Sequence, residues 1–320
     1  MRLFSYKSGF PRLLRCGAGA AAALLIMLAS CVRDGESSLE NCEFPLRLKF
    51  SYTYNRENRD LLREEVPSIS LYLYDTETGR LVKSTSIGID ALDSRGGFTW
   101  SAPAGRFSLV TWGGDKPRYS VSADGPIDSH TLSLPAGENG LIPQNRAHLW
   151  HNLTTDILIN GDLTPSYNVD LHKISNDVTV TVSLADSGRH IAKGKRDPLP
   201  GNSISVTNNL YGFSGGIHPS ASPAIYLPES SSPAPGKETH AYTILGISRY
   251  DDSRLNVAYG GNSIYDGPLA ELIARQPDII FDLDDDFHLD FEVAPGNDGS
   301  ASVSISLNGW HIHDYNVILK

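Results

Sequence analysis

Four residues near the start of the chain, Leu28-Ala29-Ser30-Cys31, carry the clearest chemistry in the sequence. They close an apolar run that begins at Cys16, and four basic residues (Arg2, Lys7, Arg12, Arg15) precede it with no acidic one. A basic segment, a short apolar segment and small residues before a cleavage point describe an export signal. The run is shorter than the roughly 18–20 residues that cross a bilayer core comfortably. A cysteine in this position is a nucleophile for lipid: cleavage before Cys31 leaves a thiol for a diacylglycerol and an amine for a further acyl chain. At ~0.8 kcal/mol per buried CH₂, one chain binds marginally and two or three hold a protein on a membrane. The alternative is an ordinary secretory peptide followed by a coincidental cysteine. Residues 1–30 are thus expected to be a lipoprotein signal peptide, with covalent lipid on Cys31 and no other cofactor.

Other constellations are weaker. Gly212-Phe213-Ser214-Gly215-Gly216 matches the G-x-S-x-G of serine hydrolases, but that elbow needs a strand before it and a helix after it. Here Pro219 and Pro223 follow in β-rich surroundings. Asp282, Asp284 and Asp286 alternate like the start of a calcium loop, yet Phe287 and Val293 stand where an EF-hand needs glycine and a carboxylate. A solvated acidic turn fits better. His311 and His313 would share one face of a regular strand, without a third ligand nearby in sequence. No enzyme and no metal site is expected.

Removing residues 1–30 moves the formal net charge from −10 to −14. An acidic chain without a basic stripe argues against a nucleic-acid partner. Of the three cysteines, Cys16 leaves with the signal and Cys31 takes lipid, so Cys42 stands alone and no internal disulfide framework exists. Stability must come from burial.

Elements follow from periodicity. Residues 31–41 are polar and aperiodic and read as a tether. From Leu46 to Tyr54 apolar and polar residues alternate, as they do from Ile69 to Tyr74. Further strands are expected at 81–82, 98–100, 106–112, 130–134, 148–153, 169–171, 178–184, 203–211, 223–227, 240–248, 254–259, 279–283, 287–293 and 301–307. Asn308-Gly309 marks a tight hairpin, after which Trp310 to Leu319 form a terminal strand. Leu269–Arg275 look helical, and Pro228–Gly236 look like an exposed loop. Many short strands with little helix argue for two tandem antiparallel β-sandwiches, at 42–162 and 163–320.

The order of several motifs resembles the FimB-like fimbrial anchor lipoproteins of Bacteroidales-type bacteria. Cys42 followed by Pro45-Leu46-Arg47-Leu48-Lys49-Phe50-Ser51-Tyr52 is similar to that family's first strand, and Val66-Pro67-Ser68-Ile69-Ser70-Leu71-Tyr72 to its second. Pro103-Ala104-Gly105 with Thr111-Trp112-Gly113-Gly114 resembles its turn and strand end. Val169–Val178 and Asn308-Gly309-Trp310 extend the likeness. Pro45 stands further from Cys42 than the family pattern leads one to expect. The resemblance implies transthyretin-like sandwiches, outer-membrane attachment through lipid, and a base subunit that holds fimbrial stalk subunits by β-strand addition and limits filament length. The candidate edge for such exchange is the terminal strand, with Trp310, Ile312, Tyr315, Val317 and Leu319; the alternative is that this strand merely closes its own sandwich. The competing functional reading is a surface lipoprotein that binds glycan or host protein, with Tyr72, Tyr74, Tyr119, Tyr265 and Trp150 as candidate stacking rings.

Overall fold

The computed structural model describes residues 42–114, 119–137, 140–143, 148–161, 163–185, 203–206, 210–218, 224–234, 236–259 and 261–319. Cys31, the signal segment and all but Cys42 of the cysteines lie outside them. The described chain is nearly all β. In order come β1 (Glu43–Ser51), β2 (Ser68–Asp75), β3 (Leu81–Gly88), β4 (Gly97–Pro103), β5 (Gly105–Gly114), β6 (Ser120–Ser122), β7 (Thr131–Ser133), β8 (Leu141–Ile142), β9 (Leu149–Ile159), β10 (Ser166–Asp170) and β11 (His172–Lys173). The second half supplies β12 (Ser175–Leu184), β13 (Ser203–Val206), β14 (Leu210–Gly212), β15 (Ala224–Tyr226), β16 (Ser230–Ala234), β17 (Lys237–Leu245), β18 (Arg254–Tyr259), β19 (Asn262–Pro268), β20 (Asp286–Pro295), β21 (Ser300–Leu307) and β22 (Trp310–Ile318). The described residues also form two short α-helices, Leu62–Glu65 and Leu269–Ile273, and two 3₁₀ turns, Ile89–Ala91 and Ile127–Ser129.

The first sandwich stacks the sheet β10-β1-β4 on the sheet β11-β9-β5-β2-β3. Alternation on β1 sends Leu46, Leu48 and Phe50 inward, where they meet Leu71, Leu73, Leu109 and Ile157 of the facing sheet. The second half holds a six-stranded sheet, β16-β17-β12-β20-β21-β22, and a five-stranded sheet, β19-β18-β13-β15-β8. Their shared core includes Val178, Val180, Phe287, Phe291, Val303 and Ile305. A common pattern links the halves: the first strand of each is flanked by one antiparallel and one parallel partner. For β1 these are β4 and β10, and for β12 they are β17 and β20. The sheets are therefore mixed where alternation alone suggested purely antiparallel pairing.

Two features depart from a simple tandem. Strands β10 and β11 pair with β1 and β9, so the first sandwich's sheets run on to Lys173, past the expected boundary at 162/163. The chain between β5 and β9 also crosses over: β7 pairs with β14, and β8 runs parallel to β15. A boundary judged from turn residues misses both, because pairing partners distant in sequence leave no local mark.

The sheet β11-β9-β5-β2-β3 consequently lies between two cores. On β5, Phe107 and Leu109 enter the first core while Val110 and Trp112 enter the second. Gly113 permits a close approach there, since a Cβ at that position would sit 3.0 Å from Val66 and 3.1 Å from Trp150. Trp112 is fully buried. Trp112→Ala is expected to destabilise the fold by ~3–5 kcal/mol, read as a lower urea midpoint by far-ultraviolet circular dichroism. An unchanged midpoint would contradict the two-sided burial of β5.

Candidate functional site

The terminal strand β22 is joined to β21 by the expected Asn308-Gly309 turn, with φ of 50° and 81° at the two residues. Its whole length pairs with β21, from Leu307↔Trp310 to Ser300↔Ile318. It is the last strand of its sheet, so among the described residues its outer main-chain edge carries no strand. The five residues singled out on it divide. Ile312, Tyr315, Val317 and Leu319 pack against the larger core, and the Tyr315 hydroxyl donates to the Ile264 carbonyl. Trp310 is 61% exposed and Ile318 79%. What the edge offers a partner is backbone, plus apolar side chains at both ends.

A bulge opposite Ile305 and Ser306 falls between His311 and His313. His311 turns to Asp314 (3.1 Å) and Ser304, whereas His313 stacks on Tyr315. The two imidazoles thus have separate partners. No group of three or more metal-ligating side chains gathers among the described residues.

The other motifs prove to be parts of the seam between the halves. Asp284 accepts from Arg56 Nε and Nη2, both at 2.6 Å, and its Oδ2 also accepts from the Ile280 amide. Burial acts to raise this carboxyl, but Arg56 and the amide outweigh it and hold the group below the ordinary carboxylate range. Asp285 pairs with Lys173 at 2.6 Å, and Asp286 faces His288 at 3.1 Å. The acidic run therefore binds basic side chains, two of them from the first sandwich. The same contacts explain why 279–283 is a turn where a strand was expected: Leu283 and Asp284 amides both return to the Ile280 carbonyl. Polar residues also persist inside β12 for this reason. Ser175 accepts from the Leu149 amide, Asn176 from the Ile247 amide and Asp177 from the Thr243 hydroxyl.

The Gly212–Gly216 motif forms a tight turn, closed by the Gly212 amide on the Gly216 carbonyl. Among the described residues the next element is the strand β15, and Ser214 is exposed at the tip. The turn sits on β9: His151 Nε2 donates to the Phe213 carbonyl at 2.8 Å, and a Cβ on Gly215 would collide with the same imidazole. A second buried histidine lies nearby. Trp112 Nε1 donates to His130 Nε2 at 2.7 Å, and because indole can only donate, Nε2 carries no proton. Nδ1 then donates to the Tyr74 hydroxyl at 2.7 Å. His130 ties the excursion between β5 and β9 to the central sheet, and His151 ties the second half to it. Sequence periodicity missed both, since a lone histidine in a turn or strand leaves no pattern. The rings considered for stacking are drawn into packing as well: Tyr74, Tyr119 and Trp150 are buried, and Tyr72 and Tyr265 are partly buried against the larger core.

The described residues thus present two β-sandwiches, an ion-paired seam and an open terminal edge, with the hydrolase-like motif forming a turn. The chain belongs to the family of fimbrillin-A associated anchor proteins Mfa1 and Mfa2, whose model matches residues 39–316. It is a fimbria-associated protein of the cell envelope. Its fold is similar to that of the fimbrial anchor protein Mfa2 from Porphyromonas gingivalis, at 18% identity and a TM-score of 0.70 over 86% of this chain and 100% of that one. A candidate polysaccharide-binding protein from Bacteroides thetaiotaomicron (16% identity, TM-score 0.69, 85% and 98% covered) has a similar fold. So does a candidate adhesin from Bacteroides ovatus (16%, 0.69, 85% and 95%). No curated protein matches the sequence. Among the described residues no helix is long and apolar enough to cross a membrane.

Burial holds both His130 and His151 at about 4, against an ordinary 6.5. Each is more readily protonated in the unfolded chain, so their contribution is complete above pH 6.5 and is lost as pH falls toward 4. The expected slope is up to ~1.4 kcal/mol per pH unit for each histidine. Urea midpoints at pH 7.5, 6.0 and 5.0 measure it, and His151→Gln should flatten the profile. A wild-type midpoint constant across that range would show that neither imidazole is held neutral by the fold.

Proposed function

We propose that this chain is the lipid-anchored base subunit of a surface fimbria. The observation that carries the reading is Leu28-Ala29-Ser30-Cys31 standing just upstream of an anchor-family match that begins at residue 39. Cleavage before Cys31 and acylation of that residue would fix the protein to the outer membrane, with residues 31–41 as the tether. Two or three acyl chains would hold the protein on the membrane, where one alone binds marginally. Holding the first stalk subunit in this way limits filament length and shedding. The reading includes no catalytic step.

The stalk contact in this reading is β-strand addition. An unpaired edge presents main-chain donors and acceptors at a fixed spacing, and an extended segment of a neighbour satisfies them. Support comes from β22: nine residues long, without proline or lysine, and last in its sheet. A head-to-tail contact of this type builds an open filament, for which a base needs one strand-accepting surface and one anchor.

Cys31→Ala in the native cell should release long filaments into the medium and reduce fibres on the surface, as seen by electron microscopy. Fibres of normal length that remain attached would remove the base-subunit reading. For the contact itself, Trp310→Lys with Ile318→Lys alters two exposed side chains and places charge at the edge. This double variant should keep its thermal midpoint within about 2 °C, a surface-substitution effect, and retain much less stalk subunit in co-purification. Undiminished co-purification would move the contact away from β22.

A further inference from the structure

Strand register places several elements at one end of the first sandwich. Glu43, where β1 begins, pairs with Pro103 at the end of β4, and Gly105, where β5 begins, pairs with Ile159 at the end of β9. β10 runs parallel to β1, so it also starts from this end. The connection from β9 to β10 lies over the entry of the chain. At Gly161, φ is +83° and a Cβ would sit 2.6 Å from the Phe44 ring. A side chain is excluded there, and the backbone crosses the ring at contact distance.

Leu163 follows two residues later and is 81% exposed, more than any other leucine, isoleucine or valine among the described residues. Leu158, on the arm that leads in, is 44% exposed. Both arms are held in place. The Leu158 amide donates to the Tyr167 hydroxyl at 2.8 Å, and the Arg47 amide donates to the Pro165 carbonyl at 2.9 Å. Two aliphatic side chains are thus kept in solvent on one connection, where removing their surface from water would be favourable.

The course of the chain indicates what covers them. Twelve peptide steps separate Cys31 from Glu43, and they reach about 40 Å at most when fully extended. A lipid on Cys31 therefore keeps this end of the first sandwich nearest the bilayer. Exposed charges here have both signs, Arg80 and Arg106 against Glu77, which suits zwitterionic headgroups better than a surface of one sign. One or two aliphatic side chains are too few to bind a membrane from solution, but a lipid anchor makes their insertion an intramolecular step.

We propose that Leu163, supported by Leu158, inserts into the interfacial region of the membrane and orients the first sandwich on it. The inference rests on the lipid anchor of the base-subunit reading and adds a second, non-covalent contact to it.

The test uses the full acylated chain on phosphatidylcholine vesicles. Co-flotation with the vesicles, lost in Cys31→Ala, measures the anchor by itself. Amide hydrogen exchange at Leu163 and Thr164 should be about threefold slower on vesicles than in the unacylated Cys31→Ala chain in solution. Peptides containing Tyr250, 92% exposed in the second half, should exchange alike in both. In a Cys42→Ser background, an environment-sensitive fluorophore on Leu163→Cys should be quenched about twofold by 5-doxyl phosphatidylcholine, as expected for interfacial depth. The same fluorophore on Tyr250→Cys should not be quenched. Leu163→Asp should retain co-flotation and its thermal midpoint, yet lose the slowed exchange. Co-flotation with exchange and fluorescence at position 163 equal to those in solution would overturn the inference and leave the anchor standing. Slowed exchange without quenching would assign the contact to a second copy of the protein and overturn it as well. Absence of acyl-dependent flotation would overturn both the inference and the anchor.

Discussion

Burial of one sheet on both of its faces is the constraint from which most of the architecture follows. β5 reads Phe107-Ser108-Leu109-Val110-Thr111-Trp112, and its alternate side chains belong to different cores. A half-buried strand shows polar residues on one face, whereas a strand with two dry faces has to be apolar on both. Once Val110 and Trp112 point away from the first core, something must cover them. The excursion between β5 and β9 and the whole second half supply that cover. The two sandwiches are therefore not independent modules joined by a linker, because each depends on the same sheet to exclude water.

Polar groups along this shared region are neutralised in two different ways. Near solvent, carboxylates meet cations across the seam, as with Arg56 on Asp284 and Lys173 on Asp285. In the interior, histidines stay neutral and use both hydrogen-bonding capacities within fixed geometry, as His130 does between Trp112 and Tyr74. Charge is tolerated at the rim because water screens it, and excluded from the centre because desolvation there is severe. His148 follows the interior pattern: burial lowers it although Asp177 lies 3.6 Å away.

Strands with clear alternation, such as β1, β2, β20 and β21, were legible in the sequence, as were the Asn308-Gly309 hairpin and the Leu269–Ile273 helix. The family resemblance rested on those same segments. What local pattern concealed were relationships between distant residues. The parallel ladders of β1 with β10 and of β12 with β20 pair the first strand of a unit with a late one, and nothing in either strand specifies its partner. β16 looks like a loop in the sequence because all five of its side chains are exposed and only its backbone is engaged. Asp284 and Gly215 meet requirements of the seam, and carboxylate and glycine requirements there resemble those of a calcium loop or a nucleophile elbow. The edge position of β22 could be suspected from its place in the sequence; the inward packing of Ile312, Tyr315, Val317 and Leu319 could not.

The arrangement of β1 has a mechanical consequence. It is the first described strand after the segment that bears Cys31, and it is held on both sides, by seven register pairs with β4 and five with β10. Tension entering at Glu43 and directed along the strand would load these ladders together, in shear, so that many bonds share the force. An edge strand pulled sideways would instead unzip one bond at a time. Resistance to forced unfolding is set by the barrier rather than by the equilibrium stability. A central first strand thus gives the molecule a long lifetime under load, even where its thermodynamic stability is ordinary.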